Sequence, residues 1–98
     1  MSRTPEGTVK DKVKAVLKRH GAYHHMPVSN GMGAPSLDFI VCINGRFVAI
    51  ETKAPGKKPT QRQLLTMDAM RVAGAWVFLV DGDESLARLD ATLALLGE

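Results

Sequence analysis

The sequence predicts an α/β fold, a mixed β-sheet flanked by helices in the order α-β-β-(loop)-α-β-α. Three observations carry that expectation. Apolar residues recur at helical spacing in the first and last segments. Asn44-Gly45 separates two runs rich in β-branched and aromatic residues, which is the strongest short-range sign of a hairpin. A continuous apolar run from Ala75 to Val80 suits a strand covered on both faces.

Residues 5 to 20 read as a helix. Thr4 is placed to cap it, and Pro5 sits where a missing N–H costs nothing. Val9, Val13, Val16 and Leu17 form its apolar stripe, Glu6 continues that stripe toward the interior, and Gly21 ends the helix. Residues 24 to 36 hold two glycines and two prolines without a sustained period. They read as a loop, with a short strand expected near Met26 to Val28. Leu37 to Ile43 and Arg46 to Lys53 are the hairpin strands, and residues 54 to 59 are a loop. A second helix runs from about Thr60 to Ala73 and stops at Gly74. Asp81-Gly82-Asp83 makes a turn, and Leu86, Leu89, Leu93 and Leu96 mark a final helix.

A chain of 98 residues fits a single domain, residues 1–98. Cys42 is the one cysteine, so no intramolecular disulfide forms. That fits a reducing cytosol. The first residues lack the apolar run of a signal peptide, and no apolar stretch is long enough to span a membrane. The expected location is the cytoplasm. The net charge of +3 permits a nucleic-acid partner without demanding one. Its distribution says more. Lys10, Lys12, Lys14, Lys18 and Arg19 crowd the first helix, and Lys53, Lys57, Lys58 and Arg62 crowd the middle. Both groups are candidate phosphate contacts, although charge alone favours a solvated helix face and a charged loop.

The hairpin carries the chemistry. A two-residue turn at Asn44-Gly45 pairs Ile43 with Arg46, and every later pair keeps the same register. Asp38 is thereby expected directly opposite Glu51. Asp38, Ile40, Cys42, Phe47, Ala49, Glu51 and Lys53 share one face. Leu37, Phe39, Val41, Ile43, Val48 and Ile50 share the other, a core face. Opposed side chains have Cβ atoms only about 4.5–5.5 Å apart, where like charges destabilise. Two carboxylates there call for a shared cation. Mg²⁺ is typically held by one or two carboxylates, waters and substrate phosphates. Lys53, on the same face, would orient water or contact a phosphate. The plainer alternative is that Lys53 simply neutralises two acids at a strand end.

Other residues also have two readings. Glu6 complements the dipole of its helix, and Gln63 completes a capping box with Thr60. His24 and His25 are adjacent, so a strand would turn them to opposite faces and prevent joint chelation. His20 reads as a dipole partner at a helix C-terminus. Tyr23 and Trp76 read as packing residues, and Cys42 as an inert, half-buried one.

Asp38, twelve intervening residues, then Glu51-Thr52-Lys53 resembles the PD-(D/E)xK nuclease signature. The wider pattern resembles a virus-type replication–repair nuclease (VRR-NUC) domain over nearly the whole chain. Glu6 opens the first helix as that family's leading acid does. Gly33-Ala34-Pro35-Ser36-Leu37-Asp38 resembles the approach to the family aspartate, with Leu37 standing where proline is frequent. Gly45 to Lys53 matches the second strand with its E-x-K. Pro59-Thr60-Gln61-Arg62-Gln63 resembles the glutamine segment, and the spacing to Gly74 favours Gln63 over Gln61.

The resemblance implies a restriction-endonuclease-like fold and hydrolysis of DNA phosphodiesters with Mg²⁺ or Mn²⁺. Asp38, Glu51, the Thr52 carbonyl and Glu6 would serve the metal. Lys53 would position the nucleophile, and Gln63 would support Lys53 or the phosphate. Lys57, Lys58, Arg62 and Lys10 are the expected DNA contacts. Stand-alone members resemble phage enzymes that act as homodimers on branched DNA such as four-way (Holliday) junctions, in the phage or bacterial host cytoplasm. The rival expectation is a non-catalytic DNA-binding or assembly module on the same fold, which would bind DNA without metal and cleave nothing.

Overall fold

The structure, a computed structural model, describes residues 3–28 and 34–98. Gly33 and the loop positions 29–33 lie outside the described residues. Helix α1 spans Pro5–Arg19, β1 Tyr23–His25, β2 Phe39–Ile43, β3 Arg46–Thr52, α2 Gln61–Val72, β4 Trp76–Val80 and α3 Asp83–Leu96. Among the described residues this is a mixed α/β architecture, one four-stranded sheet with three helices, the fold class the sequence predicts.

The sheet order is β1-β2-β3-β4, with β3 and β4 parallel and the other pairs antiparallel. The hairpin forms as its turn dictates. Asn44 and Gly45 have φ of 49° and 78°, and Ile43 pairs with Arg46. The Asn44 side-chain amide donates to the carbonyls of Leu96 and Glu98, and Arg46 also donates to that of Leu96. The hairpin tip thus satisfies carbonyls that the end of α3 leaves without helical partners.

Two cores lie on the two faces. On one, Val9, Val13, Val16 and Leu17 of α1 and Leu89, Leu93 and Leu96 of α3 pack on Phe39, Val41, Ile43, Val48, Ile50 and Val80. On the other, Met67 of α2 packs with Leu37 and Ala49, joined by Ile40, Met70, Val77 and Leu79. The β3–α2–β4 crossover places that helix over its own strands, and the part of this face nearer β1 and the hairpin turn stays exposed among the described residues. Tyr23, Cys42 and Phe47 stand beside one another there by register, and all three are exposed.

Several sequence expectations are corrected. The short strand is Tyr23–His25 rather than 26–28, so the order gains a strand. Three residues are too few to show a period, and pairing with β2 decides their state. The run 75–80 is the edge strand β4, partly rather than fully covered. Tyr23 is 76% and Trp76 47% exposed, so neither is a buried packing residue. Cys42 is exposed rather than half-buried, because among the described residues no helix crosses its side of the hairpin. Leu37 lies on the α2 side with Met67 and not on the α1–α3 side. Strand alternation ends where β2 begins, at Phe39, and Leu37 precedes it.

His24 and His25 do face opposite ways. The His24 ring lies 5.7 Å from that of Phe39 on the core side, while His25 is exposed. His20 has a partner that periodicity did not reveal. Its Nε2 is 2.6 Å from Asp90 of α3, and Arg19 pairs with the same carboxylate. The hydrogen bond from His20, then that from Arg19, hold the Asp90 carboxyl below its usual range. A depressed carboxyl stabilises the fold above its ordinary pKa and loses that contribution as pH falls through its folded value. Asp90→Asn is therefore expected to lower the melting temperature at neutral pH. The deficit should shrink to nothing in acid below the usual carboxylate range, as thermal melts across pH will read.

Candidate active site

The hairpin ladder ends at Phe39 opposite Ile50, one pair short of Asp38. The expected pairing of Asp38 directly opposite Glu51 is thus not part of the ladder, although the register is the expected one. The reason is chemical. One oxygen of the Asp38 carboxylate accepts both the Thr52 N–H at 2.9 Å and the Thr52 hydroxyl at 2.7 Å. The side chain stands where a β2 carbonyl would otherwise meet the strand. A strand residue points its carbonyl to the same side as its N–H, so the Thr52 carbonyl also lies toward Asp38. Thr52 itself is fully buried. The Thr52 hydroxyl bond, lying beyond a strand end, leaves no pattern in the sequence.

Glu51 projects from the opposite face of β3, 4% exposed. Gln63 donates from Nε2 to its carboxylate at 2.8 Å, and the Lys53 ammonium stands 3.9 Å from it. Gln63 also completes the capping box. Its Oε1 accepts the Thr60 N–H at 2.9 Å, and its own N–H donates to the Thr60 hydroxyl at 3.2 Å. The expected cap is thus present, and the amide nitrogen holds Glu51 where the expectation was support of Lys53 or the phosphate. Gln61 is exposed at the first helical position and makes no such contact. Lys53 lies just past β3, fixed by its N–H to the Val80 carbonyl at 3.0 Å. Its side chain is 15% exposed, so the ammonium is drawn into the site.

Glu6 projects from the first turn of α1, and Lys10 sits one turn on. The Lys10 ammonium is 3.2 Å from Glu6 and 4.0 Å from Asp38. Burial raises the Glu51 pKa from 4.5 to about 7. The Asp38 charge raises it next, and Glu6 adds a smaller push. Lys53 and the Asp38 backbone amide pull it down. Three acids thus share one electrostatic neighbourhood. Among the described residues, however, no three of His, Cys, Asp and Glu stand close enough to enclose an ion. Lys57, Lys58 and Arg62 are exposed on the loop and first turn beside the site. None of the three has an ion-pair partner among the described residues.

A hard divalent cation fits this donor set. A carboxylate whose charge is disfavoured first by burial and then by a second carboxylate gains from a cation. The available atoms are oxygens, which Mg²⁺ and Mn²⁺ prefer.

No protein-family model matches the chain, and no curated protein sequence matches it. Among solved structures, a chain described as "VRR_NUC domain" superposes with a TM-score of 0.77 at 26% identity. The match covers 89% of this chain and 95% of that one.

The raised pKa has a consequence for stability. Between 4.5 and about 7 the folded chain keeps a Glu51 proton that the unfolded chain has lost. Stability therefore falls as pH rises through that window and stays reduced above it. The loss is on the order of 3 kcal/mol at about 1.4 kcal/mol per pKa unit. With chelator present, Glu51→Gln should melt above the wild type near about pH 8 and level with it near about pH 4. Parallel melting curves across that range would refute the burial argument.

Proposed function

From the likeness to a VRR-NUC domain, a nuclease-type fold, we propose that this chain is a Mg²⁺- or Mn²⁺-dependent endonuclease acting on branched DNA. The observation that carries this reading is the meeting of Asp38 and buried Glu51 with Lys53 and Gln63 at the open end of one hairpin.

Asp38, Glu51 and the Thr52 carbonyl would hold the ion, with Glu6 supporting it directly or through water. When bound, such an ion supplies Lewis-acid stabilisation of a phosphate and a hydroxide-like water near neutral pH. The chain's own residues do the rest. Thr52 fixes the Asp38 carboxylate by two hydrogen bonds to one oxygen, leaving the other free. Gln63 fixes Glu51 by one oxygen in the same way. Lys53 offers an ammonium beside Glu51 that orients the attacking water and meets the charge developing on the scissile phosphate. Lys57, Lys58 and Arg62 would neutralise flanking phosphates.

DNA as substrate follows from the nuclease-type fold, and branched DNA belongs to this proposal. So does a homodimer, which would bring two such sites to one junction. The exposed Tyr23 and Phe47, in register on either side of Cys42, support it. The mass in solution tests that part. No helix among the described residues is long and apolar enough to cross a membrane, and a cytoplasmic location remains part of the proposal.

The test is a panel of four-way junction, flap, single-stranded and duplex DNA incubated with Mg²⁺, Mn²⁺ or EDTA. Cleavage is expected with either metal and none with EDTA. Lys53→Ala should keep its fold and lose roughly a hundredfold or more in rate, the usual cost of removing one charge-stabilising donor. Equal cleavage by Lys53→Ala and wild type would sink the assignment of that lysine. DNA binding that persists in EDTA, with no cleavage of any substrate, would favour a non-catalytic module.

A further inference from the structure

Two lysines reach the acidic cluster, from different elements. Lys53 approaches Glu51 from the strand side, as the nuclease reading requires. Lys10 approaches from α1, and that reading gives it no place among the carboxylates. Its ammonium is 3.2 Å from the Glu6 carboxylate and 4.0 Å from the Asp38 oxygen that Thr52 leaves free. Its side chain is 28% exposed, so it is folded back against the site and is not extended into solvent. Lys14, one turn further along the same helix, has no acidic partner among the described residues and is exposed.

We propose that Lys10 is a built-in counter-ion, held by Glu6 and Asp38 until a divalent cation displaces it and then free to contact the DNA backbone. This inference rests on the metal-binding reading of Asp38. An ammonium and a divalent cation compete for the same carboxylate oxygens, so Lys10 weakens metal binding in the absence of DNA. A DNA phosphate near the site offers the ammonium a different anion and draws it off the acids. Phosphate binding therefore strengthens metal binding, and by linkage metal binding strengthens that of DNA to the same degree. The device would keep the site from loading metal fully before substrate arrives.

The test is Mn²⁺ binding to the full chain, followed by calorimetry or by the electron paramagnetic resonance of free Mn²⁺. Without DNA, Lys10→Met should bind Mn²⁺ about two- to fivefold more tightly than wild type, the range set by losing a partly exposed ion pair. Lys10→Arg should stay near wild type. Lys14→Met removes the same net charge one turn away and should also leave affinity unchanged. Adding a non-hydrolysable phosphorothioate duplex should tighten Mn²⁺ binding to wild type more than to Lys10→Met. Unchanged or weaker Mn²⁺ binding by Lys10→Met would overturn the inference, as would an equal gain in Lys14→Met. Asp38→Asn separates the two levels. If it binds Mn²⁺ as wild type does, the metal assignment of Asp38 fails, and the role of Lys10 fails with it.

Discussion

Two carboxylates at the open end of one hairpin repel each other, and burial of one of them makes the repulsion expensive. Glu51 is 4% exposed and Asp38 stands close enough to raise its pKa. A fold of 98 residues has little stability to spare. The arrangement holds because each acid is tied by a neutral donor from another part of the chain. Thr52 donates twice to Asp38, and Gln63 donates once to Glu51. Neither donor brings a charge that would cancel what makes the pair useful. Lys53 and Lys10 supply the compensating charge from opposite sides.

These ties in turn depend on where the helices sit. The N-terminal end of α2 must lie over Glu51 for Gln63 to cap the helix and reach the carboxylate together. The β3–α2–β4 crossover delivers it there by packing Met67 on Ala49. On the far face, the α1 stripe of Val9, Val13, Val16 and Leu17 seats the helix on the core. That seating brings Lys10, paired with Glu6, to Asp38. Hydrophobic burial thus does the positioning on both faces, and the polar contacts at the sheet end are its consequence.

How much of this was readable before the structure depends on the range of the interaction. The hairpin register was legible because Asn44-Gly45 admits few turns and every pair follows from one. The α1 stripe and the capping box were legible because both are local, with partners three or four residues apart. The strand β1 was not, because three residues carry no period and only pairing with β2 makes them a strand. The bonds from Thr52 to Asp38 were hidden for a different reason. Register counting assumes backbone pairing continues, and here a side chain takes over where the ladder stops. The contact of Lys10 with Asp38, and that of His20 with Asp90, join positions far apart in sequence through packing that no spacing rule encodes. Gln63 was legible as a cap, and its bond to Glu51, on another element, was not. Only the geometry shows that one side chain serves both, its oxygen committed to the helix and its nitrogen to Glu51.

That double use sets a limit on how the site can vary. A residue at position 63 must present an acceptor to Thr60 and a donor to Glu51 at once, which glutamine does in every protonation state of its neighbours. A glutamate would cap the helix equally well but place a further acid against Glu51, whose pKa is already pushed to about 7. A lysine would hold Glu51 but offer the Thr60 N–H no acceptor. The amide is the one functional group that satisfies both ends without altering the charge of the site. On the proposed reading this matters for metal binding. The charge presented to a cation is then set by Glu6, Asp38 and Glu51 against Lys10 and Lys53, and only the lysines can move away.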